Sequence, residues 1–302
     1  MSAAAVTRTG RGRSAKSLVM IEAMRRILEK IQPTSVRSVC YQLFNAKLID
    51  SMAKANTNAA GRLLRQARED GLIPWEWVVD ESREAERASL WRDPDQIIDA
   101  AVRGYRRDYW QDQPVHIEVW SEKGTVRGTL APVLDAYGTT FRVMHGFASA
   151  TVMNDVADLT RRAGKPCVFL YVGDYDPSGL YMSEADLPTR LARYGGDAEI
   201  RRIALTADDV GDCLPSFPAS DKSLDKRYDW FTRSFGRRCW ELDAMNPNDL
   251  RERVERHIVH LIDRDAWDHA CTIERAQTES LRTFQEAWRG KLMQASKYGG
   301  AA

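Results

Sequence analysis

Long apolar runs are missing from this chain: no stretch of about 18 apolar residues exists, so no transmembrane helix is expected. No apolar core follows the first positive charges, which points away from a secretory leader. The five cysteines, Cys40, Cys167, Cys213, Cys239 and Cys271, form no CxxC pair, which argues against a zinc site and a disulfide scaffold and for a reducing, cytoplasmic setting. Excess charge is also missing. The net charge is +1, so the bulk balance does not announce a polyanionic partner. There is no internal repeat and no long low-complexity run. What is present, 43% hydrophobic and 29% charged residues over 302 positions, suits a globular chain of two domains or one large one.

Basic charge gathers at the N-terminus, where Arg8, Arg11, Arg13 and Lys16 stand without an acid, and residues 1–16 read as a disordered basic tail. From 17 to 31, Met20, Ile21, Met24, Ile27, Leu28 and Ile31 share a helical stripe. Pro33 ends that helix, and Val36–Phe44 reads as a second, short one. A third runs from a cap at Asn56-Thr57-Asn58 to about Asp70, where Gly71 stops it. It buries Ala60, Leu63, Leu64 and Ala67 and carries Arg62, Arg65 and Arg68 on its other side, a spacing that suits phosphate contact. Leu72–Asp80 then resembles the strand of a wing. Residues 17–82 are therefore expected to form a winged helix-turn-helix domain that binds duplex DNA. Residues 83–112 read as a linker and a helix that Asp93-Pro94 begins.

Beyond Gln113-Pro114 strands and helices alternate. Strands are expected at Val115–Trp120, Phe141–Met144, Pro166–Val172 and 199–205. Helices are expected at 124–136, 149–163, 181–194, from Thr206, and from about 247 to 294. This rhythm predicts a mostly parallel, Rossmann-like sheet in an α/β domain spanning 113–302, with a C-terminal helical extension.

Val172-Gly173-Asp174-Tyr175-Asp176-Pro177-Ser178-Gly179 follows the most apolar strand. Residues two apart in extended chain face the same way, so Asp174 and Asp176 project together. Side-by-side carboxylates repel unless a cation or proton intervenes, and hard oxygen donors favour Mg²⁺ or Mn²⁺. Glu122, after the first strand of the domain, is expected at the same sheet edge, with Lys123 beside it for a phosphate.

Glu122-Lys123 together with Gly173–Gly179 resembles a Toprim domain. Upstream, Val36-Arg37-Ser38-Val39-Cys40-Tyr41 resembles the tyrosine motif of the topoisomerase VI A subunit and the meiotic double-strand-break transesterase, with Cys40 where that family carries an aromatic residue. Ile203–Asp209 and Trp240–Met245 resemble later segments of the same family. The likeness covers roughly 34–260 and is closest to compact "mini-A" homologues. It implies Tyr41 as nucleophile, Arg37 as its helper, and Glu122, Asp174 and Asp176 as Mg²⁺ ligands. It also implies double-stranded DNA as substrate, a homodimer, and a tyrosyl-DNA product. An ATPase partner subunit stays open. Two other readings compete: a hydrolytic Toprim nuclease in which Tyr41 is structural, and a non-catalytic duplex-binding protein.

Overall fold

The computed structural model describes residues 14–79, 90–144, 149–211 and 214–298, with side chains to residue 290. The N-terminal part is helical. Helix α1 (Ala15–Ile31) starts at Ser14, whose hydroxyl accepts from the Ser17 amide at 3.2 Å, and buries Ile21, Met24, Leu28 and Ile31. Strand β1 (Thr34–Ser35) leads into α2 (Val36–Asn45), capped by the Ser35 hydroxyl, which accepts from the Ser38 amide at 3.0 Å. Helix α3 (Lys54–Glu69) follows, and β2 (Val78–Val79) pairs parallel with β1. Met24, Leu28, Leu43, Leu64 and Ile73 close the core of this part.

Several expectations need correction here. Ala15 and Lys16 belong to α1, while residues 1–13 of the expected basic tail lie outside the described residues. Helix α3 begins at Lys54, ahead of the expected Asn56 cap. The segment read as a wing strand is a 3-10 turn at Trp75–Trp77 followed by two residues of strand. Its partner β1 runs parallel to it, whereas a wing is an antiparallel hairpin. Two tryptophans flanking Glu76 favour the turn because Arg68 reaches in beneath it.

Helix α4 (Pro94–Gly104) is no isolated linker element. Its Asp95 pairs with Arg289 at 2.8 Å, and Asp99 accepts from the Gln285 amide at 3.0 Å, so it lies along the C-terminal helix. The α/β part then runs β3 (His116–Ser121), α5 (Thr125–Tyr137), β4 (Thr140–Val143), α6 (Ala150–Arg162), β5 (Cys167–Val172) and α7 (Pro177–Tyr181). A π-helical turn at Met182–Asp186 leads to α8 (Leu187–Arg193) and β6 (Glu199–Ala204). Thr206 starts no helix. Its amide and hydroxyl donate to one Asp209 oxygen at 2.8 and 2.9 Å, closing a single turn that Arg253 secures from outside. The chain ends with β7 (Phe217–Pro218), α9 (Tyr228–Ser234), β8 (Arg238–Cys239), α10 (Pro247–Leu261) and α11 (Arg264–Tyr298).

The main sheet has the order β4-β3-β5-β6, and every pair is parallel. Strand β5 is buried along its whole length, as its unbroken apolar run requires. One face packs Val119, Leu130, Leu170 and Val254 together. The other packs Trp120, Met153, Phe169 and Leu191. Helices cover both faces, so this is a mixed α/β fold compatible with a Rossmann-like domain. No described helix is long and apolar enough to cross a membrane.

Candidate active site at the sheet edge

Strands β3 and β5 are neighbours, and their register sets Ser121 opposite Val172. Glu122 and the Gly173-Asp174 step therefore leave the sheet side by side. Strand β4 lies on one side of β3, and β5 with β6 on the other, so the strand order reverses direction here. Crevices in open α/β sheets form at such points. The three acids stand together at this edge, with Asp174 7% and Asp176 4% exposed. The Gly173 amide donates to the Ala204 carbonyl at 2.8 Å, and the Leu205 amide donates to the Gly173 carbonyl at 2.9 Å, which fixes the loop on β6. A side chain at 173 would meet the Tyr171 ring at 2.7 Å, and one at 179 would overlap the Asp174 carbonyl oxygen. Both glycines are thus required by close approach.

Arg202 ties the loop down from behind. Its guanidinium donates to the carbonyls of Gly173, Asp174, Gly179 and Leu205 and to the Ser183 hydroxyl. Asp176 caps α7, one oxygen accepting from the Gly179 amide at 2.7 Å and the other facing the Lys222 ammonium at 3.2 Å. Asp174 accepts from Lys123 Nζ and from the Leu242 amide, both at 2.8 Å. Lys123 also reaches Asp243 at 3.1 Å. Burial raises the Asp174 carboxyl above its ordinary range, with Lys123 opposing. Burial, then the charges of Asp174 and Asp176, push Glu122 up to about 7.

Three mutually repelling carboxylates make a hard, all-oxygen donor set, and by chemistry that set fits Mg²⁺ or Mn²⁺. In this structure two ammoniums supply the compensating charge. Among the described residues no three carboxylate, imidazole or thiol side chains converge at coordinating geometry. A metal here would replace the Lys123 and Lys222 contacts.

Tyr41 and Arg37 come from α2. Arg37 sits 5.9 Å from the Tyr41 ring centroid and forms a two-pronged ion pair with Glu241. Tyr41 is only 3% exposed. Burial holds its proton above the ordinary tyrosine range, reinforced by the Glu241 charge and opposed by Arg37. Cys40, the departure from the family pattern, turns away into the N-terminal core. An open cleft of about 450 Å³ runs from Asp174 and Lys123 past Asp243 to Arg37. A second, of about 520 Å³, holds the edge of Tyr41. Arg37, Lys222 and Glu241 line both. Tyr41 and Asp174 therefore border two clefts that share three lining residues, while Glu122 and Asp176 line neither of the two.

The arginine row of α3 is not a single open face. Arg62 and Arg65 are exposed, and Arg65 lies 3.7 Å from Glu69. Arg68 is 7% exposed and donates to the Trp75 and Val78 carbonyls at 3.0 and 3.4 Å. It is an internal tie, which corrects its assignment to DNA contact. A three-residue spacing places side chains on one side of a helix without saying what packs over them. Sequence reasoning gave no role to Asp243, which joins Lys123 to the Ser35 hydroxyl (2.5 Å), nor one to Glu241, and it read Lys222 only as part of a basic stretch, on the DNA path or in a solvated loop, not as a partner of Asp176. The signal for the first two was a second pair of acids two apart, Glu241-x-Asp243, echoing Asp174-x-Asp176. No family model and no curated protein matches the chain.

Proposed function

We propose that the chain is a divalent-cation-dependent, DNA-cleaving transesterase of the topoisomerase VI A kind. In this reading the N-terminal helical part serves as a winged-helix-like DNA-binding domain and the α/β part as a Toprim domain. The observation that carries it is the overlap of the two clefts: Asp174, one of three acids at a sheet switch point, lines a groove whose Arg37, Lys222 and Glu241 also line the cleft of Tyr41. Glu122, Asp174 and Asp176 would hold Mg²⁺, which when bound neutralises charge on the reacting phosphate. Arg37, Lys123 and Lys222 bind phosphate oxygens once the DNA draws them from their carboxylates. The Tyr41 oxygen forms a bond to phosphorus as the phosphorus–deoxyribose oxygen bond breaks. Glu241, whose charge acts on the phenol, takes its proton, and the deoxyribose oxygen leaves as a hydroxyl with a proton from solvent. The protein acts as a homodimer on double-stranded DNA.

A second reading, a hydrolytic nuclease in which water attacks, is favoured by the 3% exposure of Tyr41 and its tightly held proton. The test is a cleavage assay on supercoiled DNA with Mg²⁺ or Mn²⁺, quenched with denaturant and split with and without protease. Protein-linked ends lost in both Tyr41→Phe and Asp174→Ala are the expected result. Free ends that survive Tyr41→Phe make it a nuclease. No cut in any form overturns both readings.

A further inference from the structure

The second cleft is built unevenly. Arg37, Tyr41 and Phe44 stand at positions i, i+4 and i+7 of α2, so they line one side of the helix in a row. Phe217 of β7 and Lys222, from a distant stretch of chain, line the same cleft. The two cations sit where the cleft meets the acidic edge, since they line both cavities. The other lining includes the half-buried apolar side chains Phe44, Met52 and Phe217, together with the acids Asp50 and Asp221. One end thus suits a phosphate and the other the flat face of an aromatic heterocycle. About 520 Å³ is within the range of small-ligand pockets. A paired base cannot enter a cleft of this kind, because its faces are covered by its stacked neighbours.

We propose that this cleft holds a single unstacked nucleotide of DNA, its phosphate on Arg37 and Lys222 and its base between Phe44 and Phe217. The inference rests on the DNA reading above and narrows it: the favoured sites in double-stranded DNA are those with a base unpaired next to the acidic edge. Asp50 and Asp221, which also line the cleft, are acceptors, so bases that carry an amino group fit better than thymine. Arg37 is held by Glu241 in this structure, and an arriving phosphate takes over that cation.

The experiment uses the whole chain in EDTA, so that binding is read without chemistry. Two DNA probes carry 2-aminopurine at one position, either inside a continuous duplex or in a one-nucleotide bulge. The expected result is tighter binding of the bulged probe, with its fluorescence quenched by stacking on the protein. Phe44→Ala and Phe217→Ala should each weaken bulged-probe binding by about 5- to 100-fold and leave the duplex within about twofold. Phe44→Leu and Phe217→Leu keep the apolar volume but lose the flat face, so they should show most of the same loss while melting like wild type. Equal affinity for both probes with no quenching overturns the inference and leaves the DNA reading standing. Failure of both probes to bind removes the DNA reading as well.

Discussion

At the scale of single residues, Glu122 is the most informative group. Its carboxyl titrates at about 7 in the folded chain, above the value of 4.5 it has when unperturbed. Between those two pH values the folded state holds a proton that the unfolded state has lost. Stability contributed by the protonated group is therefore complete below about pH 4.5 and is lost as pH rises towards 7. The loss is at most about 3 kcal/mol. Thermal melts of wild type from pH 5 to 8 should show it, and Glu122→Gln should flatten the curve. Mg²⁺ at saturating concentration should flatten it too, because a cation between the acids favours their charged forms. A wild-type curve unchanged by Mg²⁺ would count against the metal. Arg68 gives a second check. Arg68→Ala removes two buried hydrogen bonds and should cost about 2–4 kcal/mol in denaturant unfolding. Arg62→Ala should stay within about 0.5 kcal/mol, since Arg62 is exposed.

At the scale of elements, the loop after β5 depends on Arg202. Arg202→Met removes the guanidinium from the carbonyls of Gly173, Asp174 and Gly179, of which Gly173 keeps the Leu205 amide and Gly179 the Met182 amide, and we expect a loss of about 3 kcal/mol with a faster amide exchange across 173–179. Arg202→Lys should recover only part of the protection, because an ammonium cannot span the fan of acceptors that a guanidinium reaches. Unchanged exchange in the methionine variant would show that β6 alone fixes the loop. How much of this was legible in the sequence follows from what each signal encodes. The unbroken apolar run Cys167–Val172 marks a strand buried on both faces, and the acids two apart mark its exit, so the sheet edge was readable. The partners of those acids were not. Asp243 lies 120 residues from Lys123, and Lys222 is 46 positions beyond Asp176, and no periodicity links such pairs. The wing failed for a related reason. Alternating residues at 72–80 fit a strand, but the buried Arg68 side chain takes the carbonyls of Trp75 and Val78 and curls the chain into a turn.

At the scale of the whole molecule, the helical N-terminal part is fastened to the α/β part both by packing, with Val79 against α5 at Gly128, and by polar ties. Arg251 on α10 donates to the carbonyls of Thr129, Ile31 and Pro33, and the Asn248 amide donates to the Lys30 carbonyl at 2.8 Å. Ser35 with Asp243, and Arg37 with Glu241, complete the seam beside the acidic edge. Arg251→Ala should split the single melting transition into two, the N-terminal part unfolding first, as calorimetry can show. A single transition displaced to lower temperature would mean that apolar packing alone keeps the parts together.

The seam also has a consequence during synthesis. The ribosome delivers the tyrosine helix long before β5, and the Glu241–Asp243 segment comes later still. Domains fold as units in the order they emerge. A growing chain therefore displays Tyr41 inside a finished helical part with neither carboxylate nor acid pair to work with. On the function proposed above, the chemistry of this tyrosine is withheld until about four-fifths of the protein has been made, so an incomplete translation product would leave nucleic acid uncut.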